Sequence, residues 1–380
     1  MEVLEKLRGR YARAGQEHKA QIINPVVELF GYHRKAAIRV LRDKPLPSPS
    51  VPHVIGRPRL YEPEKLLVPL KTIWLCAHQP CGKLLVAALP EWVPAYEAYH
   101  CALGSEVREQ LLSASAATLD RLLVPVRVQY RKGRGGTKPG TLLRQQIPVR
   151  GGIWEEDKPG YLELDTVALC GGRLDDLHAW MLDGVDICTT WIEARALENR
   201  SEAATLTQLQ DVEASLPFAL LGADSDNGGE FLNWHLLRHW QDRARPVVVT
   251  RSRAYHKNDN AHVEQKNWTH IRQWFGYERY DNPEVVPLLN RLCKGPWGQL
   301  LNYFCPTMKL KEKRREGSRV VRVYEAPQTP LARVLNSPHV TAEKKRELKE
   351  QLSRLNPFAL RREIDRQMKE IERVRQLPGT

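Results

Sequence analysis

The central stretch of the chain reads Gly160-Tyr161-Leu162-Glu163-Leu164-Asp165-Thr166-Val167-Ala168-Leu169. This short apolar run predicts a buried strand that carries Asp165. A second strand-like segment, 217–222, is followed by Asp226, which opens the sequence Asp226-Asn227-Gly228-Gly229-Glu230-Phe231. Glu264 lies near the start of a predicted helix, 258–275. Three acids therefore occur in the order strand, strand end and helix.

Charge is distributed unevenly along the chain. Its formal net charge is +13, from 58 Lys and Arg against 45 Asp and Glu, which favours an anionic partner, with nucleic acid as the leading candidate. Residues 156–280 carry 13 basic and 20 acidic side chains (−7), whereas residues 1–155 carry +11 and residues 281–380 carry +9. A polyanion would be repelled by that acidic centre unless cations were bound there. The alternative is a chance excess of surface Asp and Glu.

Length and composition indicate a multidomain protein in a reducing compartment. A chain of 380 residues is long enough for two to four domains. No stretch approaches the roughly 18 apolar residues of a membrane span, and the N-terminus lacks the apolar core of a signal peptide. The seven cysteines are odd in number and scattered, unlike a disulfide framework. We therefore expect a soluble intracellular protein.

The N-terminal part, residues 1–44, predicts a helix-turn-helix DNA-binding module. Apolar residues fall at helical spacing on either side of Phe30-Gly31-Tyr32. The second helix carries the charge expected of a recognition helix in a DNA groove, on Arg34, Lys35 and Arg39. Any helical hairpin with a solvated basic face would look similar.

The segments between the predicted domains are rich in Pro or basic residues. Residues 45–61 form a Pro-rich linker in which Arg57 and Arg59 could lie in a minor groove, although a plain linker fits as well. Residues 62–130 predict a second helical DNA-binding module, with Ser115 as a helix N-cap and Arg121 as a DNA contact. Residues 131–155 form a basic linker expected to follow phosphates, or else a spacer without a partner. Its expected contacts are Arg131, Lys132, Arg134 and Lys138.

Residues 156–280 alternate between predicted strands and helices. Strands are expected at 160–169, 178–182, 187–196, 217–223 and 246–250, and helices at 201–215, 229–243 and 258–275. This order predicts an α/β domain with a mixed sheet. Residues 281–338 are expected to form a small basic β module with a strand at 319–324, and residues 339–380 to form C-terminal helices. Those helices could pair with another molecule or pack on their own chain.

The three acids have the chemistry needed for phosphodiester cleavage with two metal ions. Two hard cations about 4 Å apart can activate the nucleophile and stabilise the leaving oxygen, and they prefer oxygen ligands. Asp165 would bridge two ions, Asp226 would bind one and Glu264 the other. Singly, each acid is ordinary, because Asp-Asn-Gly usually marks a turn. Were Asp226 only a turn residue, Asp224 would be the substitute.

Together, the motifs resemble the integrase catalytic core of the DDE superfamily, shared by retroviral integrases and many bacterial insertion-sequence transposases. The resemblance lies in Leu164-Asp165-Thr166, in 225–231 and in 260–264, and the segment 186–191 resembles that family's turn between its second and third strands. It implies an RNase H-like fold, two Mg²⁺ or Mn²⁺ ions bound by the three acids, and cutting and joining of double-stranded DNA at terminal inverted repeats. A homo-oligomer on DNA and a bacterial, cytoplasmic, nucleoid-associated location are also implied.

Two departures from the family pattern concern the surroundings of the acids. Thr190 stands where members often carry Gly, and Trp268 stands where a basic residue often follows the catalytic Glu. We expect Lys257, Lys266 and Arg272 to supply DNA contacts near the site. Two other functions fit the same motifs. One is a catalytically inactive, domesticated DNA-binding regulator, and the other is a structure-specific DNA nuclease.

Overall fold

A computed structural model describes residues 2–42, 61–130, 157–173, 177–225, 239–251, 267–316 and 319–377. The chain divides into two compact units, residues 1–60 and 61–380. Asp226 and Glu264 lie outside the described residues, as do eight of the predicted DNA contacts. These eight are Arg57, Arg59, Arg131, Lys132, Arg134, Lys138, Lys257 and Lys266.

The described residues of the first unit, 2–42, form three helices around a small apolar core. They are α1 (Glu2–Arg13), α2 (Gln16–Phe30) and α3 (Arg34–Arg42). Gly31 takes a left-handed φ of 65° between α2 and α3, a conformation that Gly adopts without steric cost. The predicted order of helix, Gly turn and helix is therefore present, and a DNA-binding role for this unit stays a prediction. Ala37 and Leu41 of α3 are buried, so its basic residues occupy the other side of the helix.

In the described part of the second unit, residues 61–130, five helices precede the sheet. They are α4 (Pro63–Cys76), α5 (Gly82–Tyr99), α6 (Ser105–Ser113), α7 (Ala116–Leu122) and α8 (Val124–Gln129). The Ser115 hydroxyl accepts a hydrogen bond from the Thr118 backbone N–H, which confirms the predicted N-cap.

The centre of the second unit is a mixed five-stranded sheet in the order β3-β2-β1-β4-β5. Its strands are β1 (Tyr161–Ala168), β2 (Trp180–Asp186), β3 (Ile192–Leu197), β4 (Gly222–Ser225) and β5 (Val248–Arg251). The first three are antiparallel neighbours, whereas β4 and β5 run parallel to β1. Helix α9 (Glu202–Ser215) connects β3 with β4 and packs on β3. A mixed sheet with helices is consistent with an RNase H-like core.

The rest of the unit is mainly helical, with one separate hairpin. The helices are α10 (Gln273–Phe275), which continues a π-helical segment (Asn267–Arg272), then α11 (Val285–Leu292), two π-helical turns (Cys293–Trp297 and Leu300–Phe304), α12 (Pro330–Asn336), α13 (Ala342–Arg354) and α14 (Pro357–Arg375). The hairpin is β6 (Leu310–Glu316) and β7 (Arg319–Tyr324). No helix among the described ranges is both long and apolar enough to cross a membrane.

One apolar core joins the helices before the sheet to those at the C-terminus. The Trp92 indole N–H donates to the Phe304 carbonyl at 2.9 Å, and the Phe358 ring packs edge-on against Trp92. Ile364 and Ile371 of α14 are also buried. Of the two outcomes considered for the C-terminal helix, the structure therefore has packing on its own chain.

Several element boundaries differ from those predicted. Helix α5 is continuous through Pro90 and Pro94, whereas the sequence predicts separate helices at 82–89 and 91–99, because Pro removes a backbone hydrogen bond. Its buried apolar side chains stabilise the continuous helix. The predicted strand 187–196 begins only at Ile192, because the preceding residues form a turn. The predicted strand 217–223 lies at Gly222–Ser225 instead. The basic stretch before residue 319 is itself a strand, β6.

Candidate active site

Asp165 lies on the middle strand of the sheet. Its side chain is half-buried, and Oδ1 accepts a hydrogen bond from the Thr166 backbone N–H at 2.7 Å. In the antiparallel register, Asp165 is directly opposite Asp183 of β2. Strand β1 lies between β2 and β4, and its ladder with β4 ends at Leu164, so the backbone next to this carboxylate is held by pairing on both sides.

The parallel strand β4 ends one residue before Asp226. Its register with β1 pairs Glu163 with Asp224 and Leu164 with Ser225. Leu164 is followed in the chain by Asp165, and Ser225 is followed by Asp226. Consecutive Cα atoms are about 3.8 Å apart, which limits how far Asp226 can lie from the end of β4.

Asp224 is buried and bound to the neighbouring strand. The Thr250 hydroxyl donates to Asp224 Oδ1 at 2.6 Å. The bond joins β4 to β5, in which these two residues are register partners. Asp224, the substitute ligand considered if Asp226 formed only a turn, therefore has a described partner within the sheet.

Four acids occupy the same face of three neighbouring strands. Register partners and residues two apart on a strand point to the same side, which places Glu163, Asp183 and Asp224 on the face of Asp165. Glu163, Asp183 and Asp224 are almost fully buried. Ionised carboxylates that share one face of a sheet create a negative potential there, which favours bound cations.

Sequence reasoning singled out Asp165 on this face and missed Glu163 and Asp183. Asp183 is fully buried, and its place inside the apolar sequence Met181-Leu182-Asp183-Gly184-Val185 was the available signal. Its proximity to Asp165 depends on the β1–β2 register, which the 11-residue connection between the strands does not define. No three His, Cys, Asp or Glu side chains within the described ranges are arranged to hold a metal ion.

The helix predicted to carry Glu264 is described from residue 267 onward. This part docks on β1 and β2, because Arg272 donates to the Ala168 carbonyl at 2.8 Å and His270 Nδ1 lies 4.0 Å from Asp183 Oδ2. The segment that follows Glu264 therefore approaches the face that carries Asp165. The Trp268 side chain lies outside the described part of the chain.

Arg272 is engaged within the chain. Besides Ala168, its guanidinium bonds the Gly276 carbonyl at 3.4 Å and lies over the Tyr277 ring. Burial lowers the pKa of this side chain. Arg272 connects the helix to the end of β1, and its contact with DNA stays a prediction.

A ring stack holds the C-terminal end of the same helix. The Trp274 ring lies against His78 of the loop after α4, with centroids 4.2 Å apart and planes within 11°. His78 Nε2 also hydrogen bonds Gln273 Oε1 at 3.1 Å. Arg361 of α14 lies over the Trp274 ring at 5.0 Å. His78 has a φ of 64° and Gln79 a φ of 60°, so this loop adopts a strained left-handed backbone to make the contact.

The turn between β2 and β3 lies where the motif 186–191 predicted it. Asp186 is fully buried and accepts hydrogen bonds from the Gly160 N–H and from the N–H and hydroxyl of Thr189. Thr190 has a φ of 60°, which explains why Gly suits this position. Arg333 donates to the Thr190 hydroxyl at 3.1 Å and thereby helps to hold the strained residue.

The described members of the predicted DNA contacts are solvent-exposed, apart from Arg272. Arg34, Lys35 and Arg39 are exposed on α3, and Arg34 donates to the Asn24 side chain at 3.2 Å. Arg121 is exposed on α7 and donates to the Ala117 carbonyl. Exposed cations can bind phosphate, so these residues stay predicted contacts.

Comparison with known proteins gives two structural likenesses and one relative. The catalytic core domain of HTLV-2 integrase, solved in complex with magnesium in a dimeric form, matches with a TM-score of 0.29 and 11% identity over 39% of this chain and 90% of that one. The catalytic core domain of BIV integrase matches with a TM-score of 0.29 and 13% identity over 46% and 91%. Both are integrase catalytic cores, the class that the motifs resemble, but TM-scores this low support no conclusion about activity.

At the sequence level, no family model matches the chain. A relative from Sinorhizobium fredii, named "Uncharacterized protein y4rM", is 36% identical over 337 residues. That match spans 87% of this chain and 94% of the relative. The chain therefore belongs to the same family as protein y4rM of Sinorhizobium fredii.

Proposed function

We propose that this protein is a metal-dependent DNA transposase that cuts and joins transposon ends. The observation that carries the proposal is the position of Asp165. It lies on the central strand, beside a parallel strand that runs into Asp226, and on the face approached by the helical segment after Glu264. The three acids are the residues that the sequence motifs select.

The residues present fit a site for hard divalent cations. Carboxylate oxygen is the ligand that Mg²⁺ and Mn²⁺ prefer, and the Asp165 carboxylate is half-buried on an acidic sheet face. Asp165, Asp226 and Glu264 would hold the ions. When bound, the ions would supply Lewis-acid activation of the phosphodiester and of the attacking oxygen.

The chain itself contributes rigid placement. Asp165 lies opposite Asp183 on β2, one residue beyond the β1–β4 ladder, and Arg272 fixes the helix against the carbonyl of Ala168. Hydrolysis at a transposon end leaves a 3′ hydroxyl, which then attacks a phosphodiester of the target DNA and displaces a second 3′ oxygen. This sequence needs no covalent bond between protein and DNA. Joining two ends also implies a homo-oligomer on DNA.

The experiment is a cleavage and joining assay with the full chain, Mg²⁺ and duplex DNA that carries the terminal repeats flanking its gene. Asp165→Asn, Asp226→Asn and Glu264→Gln should each abolish both reactions. Asp242→Asn removes the same charge at an exposed position and should leave them unchanged.

Each possible outcome separates the proposal from its rivals. Loss of activity in the three variants, with Asp242→Asn intact, supports the transposase. DNA binding without cleavage by the wild-type chain would favour the regulator, and cleavage without joining would favour the nuclease. Full activity of Asp165→Asn would refute the site itself.

A further inference from the structure

The β6–β7 hairpin is the most basic described element of the second unit. Residues 310–324 contain six Lys or Arg and two Glu, and the two strands form a sheet of their own. Lys311, Arg314 and Arg322 are exposed, as is 48% of the Tyr324 surface. The ribbon therefore presents cations and an aromatic ring to solvent.

Apolar packing does not explain this hairpin. Among its side chains that the structure describes, none is buried. A two-stranded hairpin is only marginally stable by itself in water, and like charges along it repel one another. Among the described side chains, an ion pair between Arg314 and Glu312 at 3.5 Å offsets part of that repulsion, but both groups are exposed, where such pairs contribute little.

The base of the hairpin, by contrast, is firmly attached. Thr307 and Gln328 exchange two backbone hydrogen bonds of 2.8 and 3.2 Å just beyond the strands. Arg333 clamps this bridge by donating to the Thr307 hydroxyl at 2.7 Å and to its carbonyl at 2.9 Å. Lys309 Nζ donates to the Cys188 carbonyl at 3.0 Å, which ties the base to the β2–β3 turn of the main sheet.

A fixed base and an exposed cationic ribbon suit binding to a polyanion. The major groove of duplex DNA admits a two-stranded β-ribbon, and Lys and Arg side chains bind the phosphates on its edges. We propose that the β6–β7 hairpin is a DNA-binding arm that contacts the phosphate backbone of a duplex through Lys311, Arg314 and Arg322. This inference extends the proposed function, on which it rests, by naming a DNA-binding surface beyond the predicted contacts.

The test compares two triple variants of the full chain. One is Lys311→Gln with Arg314→Gln and Arg322→Gln. The matched control makes the same change in charge at exposed positions of α13 and α14, with Arg346→Gln, Lys349→Gln and Arg362→Gln. Binding to a fluorescent duplex is measured by anisotropy over a range of KCl, with EDTA present so that no cleavage occurs.

Each phosphate contact contributes about 0.9 to the slope of log affinity against log salt concentration. For the hairpin variant, the magnitude of this slope should therefore fall by about 2–3, and its affinity for DNA near 0.1 M salt should fall at least about tenfold. The control should lose less than 1. Equal slopes for the two variants would overturn the proposal.

Two further variants separate loss of contact from misfolding. Arg314→Lys with Arg322→Lys keeps the charge and should retain the wild-type slope, whereas Arg322→Gln alone should lose about 1. A charge-preserving variant that binds as weakly as the triple Gln variant would contradict phosphate binding. An RNA competitor that displaces the chain better than a DNA duplex of equal length would refute DNA as the partner.

The outcome is independent of the catalytic proposal. If the hairpin variant binds DNA weakly but the wild type never cleaves it, the proposal of a DNA-binding arm is supported and the transposase proposal is refuted. If the wild type cleaves DNA and the hairpin variant binds it normally, the proposal of a DNA-binding arm is refuted and the transposase proposal is supported.

Discussion

The stack between His78 and Trp274 predicts an unusual order of stability among substitutions at position 78. His78→Ala should remove the ring stack, about 0.5–1.5 kcal/mol, and the hydrogen bond to Gln273, about 0.5–1.5 kcal/mol. The φ of 64° stays equally strained, because Ala keeps a Cβ atom. The free energy of unfolding should therefore fall by about 1–3 kcal/mol.

Substitution by Gly should cost less than substitution by Ala at this position. His78→Gly loses the same contacts but relieves roughly 1–2 kcal/mol of left-handed strain, against roughly 0.5–1 kcal/mol of extra chain entropy in the unfolded state. The Gly variant should then be more stable than the Ala variant by roughly 0.5–1 kcal/mol. At most positions within folded elements the order is the reverse.

Urea unfolding followed by tryptophan fluorescence measures this order, and His339→Ala is the control. His339 is exposed, so its substitution should change stability by less than about 0.5 kcal/mol. Since the stack holds the segment that follows Glu264, DNA cleavage should decline in the same order as stability. The reasoning fails if His78→Ala is as stable as the wild type, or if His78→Gly is less stable than His78→Ala.

Three further predictions concern the edge of the sheet and its turn. Arg195→Met should destabilise the fold by about 3–5 kcal/mol in urea unfolding, because the fully buried guanidinium bonds Glu193 and Asp211 at 3.0 and 2.5 Å. Burial alone would raise the pKa of Asp211, but hydrogen bonds from Lys294 and Arg195 lower it. Its ionised form therefore stabilises the fold above the unfolded pKa of about 4. Stability should be lost as the pH falls through the lower pKa that Asp211 has in the folded state. Asp211→Asn should flatten that part of the profile of stability against pH. Thr190→Gly should be more stable than Thr190→Ala in thermal unfolding, because both lose the hydroxyl contacts and only Gly relieves the left-handed φ.

Local signals in the sequence predicted much of the sheet and its turns. The apolar run at 160–169 gave β1 with Asp165 in it, and the motif 186–191 gave the turn between β2 and β3. Helix α9 and the Gly31 turn also follow local rules, since Ser201 caps the one and Gly permits the left-handed φ of the other. In these places neighbouring residues determine the structure.

The predicted boundaries of helices and strands were wrong where tertiary contacts outweighed the local preference of the sequence. Pro90 predicts a break between two helices, yet Trp92, Val93 and Tyr96 are buried on one continuous helix, and their packing maintains it. The apolar run from Pro217 predicts an early start of β4. The pairing of β4 with β1 begins only at Gly222. There the two strands approach so closely that a Cβ atom would come within 2.5 Å of the Tyr161 ring.

The acidic face was beyond local reasoning. Asp183 becomes a neighbour of Asp165 only through the antiparallel register of β1 and β2, and Asp224 joins them through a parallel register across more than 50 residues. His270 approaches Asp183 from a helix that follows both. The sequence motifs select Asp165, whereas the fold determines which other groups surround it.

The most direct test of the central claim asks whether Asp165 is a ligand of the metal used in DNA cleavage. Asp165→Cys replaces a hard carboxylate by a softer thiolate, which Mg²⁺ accepts poorly and a softer ion such as Mn²⁺ accepts better. The rate of DNA cleavage by the wild type and by Asp165→Cys is therefore measured in Mg²⁺ and in Mn²⁺. We predict that the variant is inactive in Mg²⁺ and regains cleavage in Mn²⁺, while the wild type cleaves in both. Wild-type rates for Asp165→Cys in Mg²⁺ would contradict the assignment.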